Sequence, residues 1–127
     1  MVAENGVSAA VLDAAIEVHR ALGPGLLESV YEASLAHELS SRGHRVQRQV
    51  PVAAVFKGQR FGDAFRADLI VDDCVIIEVK AVDDLAEVHR RQVATYARLA
   101  NVRLGLLINF GGVRLKDGFV RVANGMP

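Results

Sequence analysis

The sequence predicts an α/β fold in which a mixed β-sheet is flanked by helices, and three observations carry that prediction. Two stretches near the start place apolar residues at helical spacing and are parted by Gly23-Pro24-Gly25, a helix stop. From His44 to Val82 the chain alternates or runs apolar in short segments broken by turn residues, as strands do. A third helical stretch then leads into Leu104-Gly105-Leu106-Leu107-Ile108-Asn109-Phe110, a nearly continuous apolar run of the kind found in a strand buried on both faces. The 127 residues suit one domain spanning 1–127, with a core from about 7 to 122. Apolar residues make up 51%, Trp is absent and aromatics reach 6%, so the core is expected to be aliphatic.

In chain order, residues 1–7 read as a loose leader. Ser8 is the expected N-cap of the first helix, whose stripe is Val11, Leu12, Ala15, Ile16, His19 and Leu22. A second helix is expected from Gly25 or Leu26 to about Arg42, with Leu27, Val30, Tyr31, Leu35 and Leu39 on its apolar side and Glu28 in its first turn, where the helix dipole favours a carboxylate. Residues 44–55 alternate like an edge strand, and Pro51 marks an edge or a bulge. Lys57-Gly58-Gln59 is a tight turn, and Arg60 to Val71 returns as the next strand with an interruption near Gly62-Asp63. Cys74 to Val82 is the central strand. Asp84 with Glu87 resembles a capping box opening a third helix, with Leu85, Val88, Gln92, Tyr96 and Leu99 along one side. The strand at 104–110 is expected parallel to the central one, through a right-handed crossover. Residues 113–115 and 119–122 read as a closing hairpin, and 123–127 as a tail.

Composition excludes several function classes. The single Cys74 rules out an internal disulfide framework, and the four histidines show no H-x-x-x-H or C-x-x-C spacing for zinc. No phosphate-loop, serine-hydrolase or dinucleotide fingerprint is present. No signal peptide opens the chain and no apolar run approaches the roughly 18 residues of a membrane span. The expectation is therefore a soluble, cytoplasmic protein with no membrane partner. Lys plus Arg number 15 and Asp plus Glu 15, a balance that counts against tight non-specific nucleic-acid binding unless an acidic site masks a basic surface. His89, Arg90, Arg91, Arg98 and Arg103 give the third helix and its exit such a local excess, either as an ordinary solvated face or as a phosphate-facing one.

The chemistry concentrates in Arg66 to Lys80. Two short strands joined at Asp72-Asp73 carry Asp68 on the first and Glu78 and Lys80 on the second. Alternation puts Ile76, Glu78 and Lys80 on one face and Val75, Ile77, Val79 and Ala81 on the other. Burying an unpaired charge costs several kcal/mol unless it is neutralised, paired or bound to metal. One solution is an ion pair of Lys80 with Glu78 or Asp68 on a wet face. The other is a divalent-metal site, with two carboxylates holding a hard cation and the ammonium stabilising an anionic nucleophile or leaving group.

A helix with Glu28, a strand with Asp68, a strand with Glu78-x-Lys80, a crossover helix and a further strand together resemble the restriction-endonuclease-like αβββαβ core of the PD-(D/E)XK nuclease-like superfamily. Gly25-Leu26-Leu27-Glu28-Ser29-Val30-Tyr31, with His19 and Leu22-Gly23-Pro24 before it, is similar to the signature of the GxxExxY family within it. Gln92-x-x-x-Tyr96 resembles the helical motif that follows E-x-K in RecB-type nucleases, and Ala67 stands where the superfamily name has Pro. The resemblance implies a metal-dependent nuclease. Asp68, Glu78 and the carbonyl of Val79 would hold Mg²⁺ or Mn²⁺, and Glu28 would complete the acidic cluster directly or through water. Lys80 would act on the attacking water or on the charged phosphate, while Gln92, Tyr96, His19 and Arg91 would contact substrate. The implied partner is nucleic acid, DNA more than RNA, and an exposed sheet edge could pair two copies as a homodimer. The competing reading is a non-catalytic binding or assembly module that keeps the fold and the acidic cluster.

Overall fold

The computed structural model describes residues 3–125. Helices α1 (Ala3–Leu22) and α2 (Glu28–Ser41) precede strands β1 (Val46–Phe56), β2 (Gln59–Val71) and β3 (Val75–Lys80); α3 (Glu87–Leu99), β4 (Leu104–Asn109), a 3₁₀ turn (Leu115–Gly118) and β5 (Phe119–Ala123) follow. The strands form one sheet in the order β1-β2-β3-β4-β5. Neighbours are antiparallel except β3 and β4, which run parallel with Glu78 beside Leu107 and Lys80 beside Asn109. This is the mixed α/β sheet flanked by helices that the sequence predicts.

Two apolar layers hold it. The larger joins α1 and α2 to one face of the sheet through Val11, Ala15, Tyr31, Leu35, Leu39, Ile77 and Leu106; the smaller joins α3 to the other face through Ala67, Ile76, Ala97 and Val102. α3 approaches closely because residue 105 is glycine: a Cβ there would stand 2.5 Å from Val93 Cγ1. The Asp72-Asp73 turn between β2 and β3 holds both residues at positive φ, 52° and 56°, the two-residue hairpin geometry whose twist matches paired strands. Asp72 is fixed there by Arg45 N–H at 2.9 Å and the His44 ring at 2.7 Å.

Several expectations are corrected. Helix α1 begins at Ala3, so residues 3–7 are helical and not a leader; residues 1–2 lie outside the described range. Val7 packs against the larger core and Asn5 accepts a 2.6 Å hydrogen bond from Arg121, contacts that extend the helix. Ser8 is therefore a buried interior residue and no cap. Leu27 and Val30 are exposed, while Glu32 occupies a buried position of α2. Asp84 does not cap α3; the helix starts at Glu87 behind Ala86, whose N–H donates to the His89 ring at 3.0 Å. The closing hairpin does not form, because 115–118 coil into a 3₁₀ turn and β5 pairs with β4.

Strand alternation also changes hand midway. Val46 lies in the core under α1 and α2 while Val50 packs with the core under α3, and on β2 Leu69 and Val71 belong to the first core but Ala67 and Phe65 to the second. A regular strand would keep each of these sets on one face. The switch falls at Gln49, which takes a left-handed φ of 51°, and at Asp68 opposite it.

Gly111 tests the packing at the far end of β4. A Cβ there would collide with the backbone of Val82, 2.6 Å from its nitrogen, and backbone cannot step aside. Gly111→Ala is expected to lower unfolding free energy by about 1–3 kcal/mol in urea denaturation. Gly62→Ala, with open space around it, should change it by less than about 0.5 kcal/mol.

Candidate active site

The β2–β3 ladder ends at the Leu69–Ile77 pair. Beyond it the strands diverge, and two side chains bond to backbone across the gap. Glu78 Oε2 accepts from the Asp68 N–H at 2.9 Å, and Asp68 Oδ2 accepts from the Val79 N–H at 2.8 Å. Each carboxylate thus bonds the backbone of the opposite strand. Asp68 Oδ1 has only a long 3.4 Å contact from Gln49, and Glu78 Oε1 has no hydrogen bond among the described residues, so both acids keep an oxygen free for a ligand.

The acid that the structure ties to the fork is Glu32. Glu32 is 6% exposed and projects from α2, where Arg48 donates to its Oε2 at 3.1 Å and Gln49 to its Oε1 at 2.8 Å. The same Gln49 amide reaches Asp68, so it bridges two carboxylates. Glu28 lies one turn earlier on the solvent side. The sequence motif drew attention to Glu28 because it opens the helix; the usable signal for Glu32 was its position three and seven residues before the buried Leu35 and Leu39, where a charge is out of place. Gln49 carried no such signal, since glutamine is not a residue that favours left-handed backbone.

Electrostatics at the fork are dominated by burial. Burial, then the charge of Asp68, push the Glu78 carboxyl up to about 8, with the Asp68 N–H and Lys80 pulling the other way. Burial also raises Asp68; the Val79 N–H offsets part of this and Glu32 adds to it. Lys80 is half-buried at the end of β3 and, among the described residues, makes no ion pair within 4.0 Å. The simple Lys80 salt bridge considered from the sequence is therefore absent.

The remaining candidates divide. Tyr96 is half-buried and stacked on Phe65, ring centroids 3.9 Å apart, and its phenol is raised first by burial and then by the charges of Glu78 and Asp68. It therefore belongs to this neighbourhood. Gln92, one turn earlier on α3, and Arg91 beside it are exposed and make no hydrogen bond among the described residues. His19 is not brought to the acids. It sits on α1 near Phe110, its ring bonded to the Gly112 carbonyl at 3.0 Å, beside a cavity of about 400 Å³ lined by Arg20, Arg114 and Lys116. Tyr31 is a clamp for the loop: its hydroxyl donates to the Gly23 carbonyl and accepts from Leu26 N–H, and its ring stacks on Phe110 at 4.8 Å.

Among the described residues, no three His, Cys, Asp or Glu side chains already stand in a metal-ligating arrangement. The donor chemistry nevertheless fits a hard divalent cation. All the acids offer oxygen, two keep an oxygen free, and Glu78 and Asp68 are poorly compensated in the protein alone.

A family model described as the PD-(D/E)XK nuclease superfamily matches residues 5–122. Among solved structures, the crystal structure of SSO0001 superposes with a TM-score of 0.55 at 17% identity, covering 78% of this chain. The chain spans about half of that structure, 50% of its length, and the likeness is one of fold. No curated protein matches the chain.

The raised Glu78 has a measurable consequence. The folded protein holds this proton more tightly than the unfolded chain, whose glutamate titrates near 4.5, so the associated stability is full below that value and is lost as pH climbs towards about 8. Without divalent cations, the melting temperature is expected to fall across that interval. Glu78→Gln should flatten the profile; an unchanged slope would place the responsible group elsewhere.

Proposed function

Because the chain belongs to the PD-(D/E)XK nuclease superfamily, we propose that it hydrolyses phosphodiester bonds of nucleic acid, DNA more than RNA, with Mg²⁺ or Mn²⁺. The observation that carries the reading is the reciprocal Asp68–Glu78 exchange at the fork of β2 and β3, with Lys80 two residues beyond. Asp68 and Glu78 would hold the cation through their free oxygens, together with the Val79 carbonyl, and Glu32 takes the place expected of Glu28. The block from Gly25 to Tyr31 supports the narrower GxxExxY assignment.

When bound, the cation supplies Lewis acidity and a nucleophile usable at neutral pH. The protein's own groups do the rest. Lys80, half-buried and without an ion pair among the described residues, would orient the attacking water or offset charge on the phosphate, where a preorganised ammonium acts more strongly than in bulk water. Gln49 and Arg48 hold Glu32 in place. Tyr96, supported by its stack on Phe65, would donate a hydrogen bond to a phosphate oxygen, and Gln92 and Arg91, both exposed, would meet the substrate from the solvent side.

Mg²⁺ or Mn²⁺ is expected to raise the melting temperature of the wild type, and Asp68→Ala and Glu78→Ala to abolish that rise. Equal metal stabilisation in both variants would put the cation elsewhere. Lys80→Ala should retain the metal-induced shift but lose cleavage of a mixed DNA and RNA panel by about a hundredfold or more; cleavage at the wild-type rate would remove Lys80 from the chemistry. Glu28→Gln is expected to leave the metal-induced shift intact, whereas Glu32→Gln should reduce it.

A further inference from the structure

The first two strands outrun the rest of the sheet. β2 pairs with β3 only from Leu69 onward, so residues 50–66 of β1 and β2 form a two-stranded arm paired only with itself. Its length is roughly 20 Å, from seven residues at about 3.3 Å each. The arm is rooted at the Gln49–Asp68 switch, so it leaves the sheet from the acidic fork itself.

Its surface is unlike that of a solvated hairpin. Val55, Phe56 and Phe61 are 65%, 64% and 53% exposed. By register, Val52 lies opposite Phe65 and Ala54 opposite Phe61; β2 bulges between its two rings, with Asp63 at φ 54°, so the faces are set by β1, where Val52, Ala54 and Phe56 alternate onto one side and place Phe56 and Phe61 on the face that carries Phe65. That face is continued inward by Tyr96, stacked on Phe65 and sensing the charges of Glu78 and Asp68. A row of rings therefore runs from the fork to the tip. Lys57 stands over the Phe56 ring, 5.4 Å from its centroid, and residues 50–66 hold three cations (Lys57, Arg60, Arg66) against one acid (Asp63) in a chain of zero net charge.

We propose that this arm is a stacking track for unpaired bases, which makes single-stranded nucleic acid, or a single-stranded overhang, the substrate class of the site described above. The inference rests on the nuclease reading for its geometry of delivery but is separable from it in binding. Aromatic rings beside cations bind single strands because every base has a π-face, each stack contributing substantially to affinity. In a duplex those faces are covered, and phenylalanine has no hydrogen-bonding group with which to read base edges in a groove. A second copy of the chain is the less suitable occupant, since pairing two arms would bring together two surfaces that each carry three cations against one acid.

The test is fluorescence anisotropy with a labelled twelve-nucleotide oligo-dT and a blunt duplex of equal length, in Ca²⁺, on wild type and the Phe56→Ala/Phe61→Ala double variant. Both rings are exposed, so the variant should melt with the wild type. The expected result is that wild type prefers the single strand, that the variant binds it about tenfold or more weakly, and that duplex binding changes less than twofold. Undetectable wild-type binding, or equal binding by both proteins, overturns the proposal. So does a wild-type dimer that the variant converts to monomer with single-strand affinity unchanged, which would make the arm a self-association surface. Ring-dependent binding without cleavage in Mg²⁺ would sink the nuclease reading and leave the arm standing; cleavage with ring-independent binding would do the reverse.

Discussion

Two backbone N–H groups, those of Asp68 and Val79, stand where β2 and β3 part, and each is taken by a carboxylate from the opposite strand. A buried N–H left unpaired costs about 1–3 kcal/mol, so strands that diverge under cover need side-chain acceptors at that point. Acids supply them with oxygens to spare. The same pair of residues thus allows the sheet to fork and leaves two carboxyl oxygens at the fork without strong protein partners. Structural need and chemical capacity coincide in one exchange, and neither acid can be replaced by an apolar residue without stranding the other strand's backbone.

The fork also governs the shape of what surrounds it. At Gln49 and Asp68 the strands roll, and the residues beyond pass from the layer under α1 and α2 to the layer under α3. A non-glycine residue in left-handed conformation costs on the order of 1–3 kcal/mol. Here the amide of that residue bridges Glu32 and Asp68, and Glu32 is further held by Arg48. The strain and the buried acid support each other: the roll brings the amide between two carboxylates, and the carboxylates fix the roll. Because of it, Glu32 from one layer and Tyr96 from the other both reach the fork.

Charge balance takes on a different meaning once the parts are located. The zero net charge of the chain counts the acids buried at the fork equally with the exposed arginines and lysine of the arm and the α3 surface. Acids whose charge is buried do little to repel a polyanion at a distance, whereas exposed cations attract it. The motif around Gly25 and Tyr31 likewise divides: its glycine at φ 106° and its tyrosine shape and clamp the loop, while the acid that reaches the fork stands one residue beyond the motif.

By itself the sequence determined the element order, the mixed sheet, the parallel placement of β4 on β3 and the Asp72-Asp73 turn, because each follows from local periodicity or turn chemistry. It also singled out Asp68, Glu78 and Lys80, since charges within apolar strands are conspicuous in one dimension. Only the tertiary structure decided that Glu32 is linked to Asp68 through Gln49 while Glu28 is exposed, that His19 bonds to the Gly112 carbonyl and that residues 115–118 coil instead of pairing. Those outcomes depend on which face a residue presents after the strands roll at Gln49, and a left-handed glutamine leaves no trace in spacing or composition. Periodicity reports a face only while the backbone stays regular, and the candidate site is built where it does not.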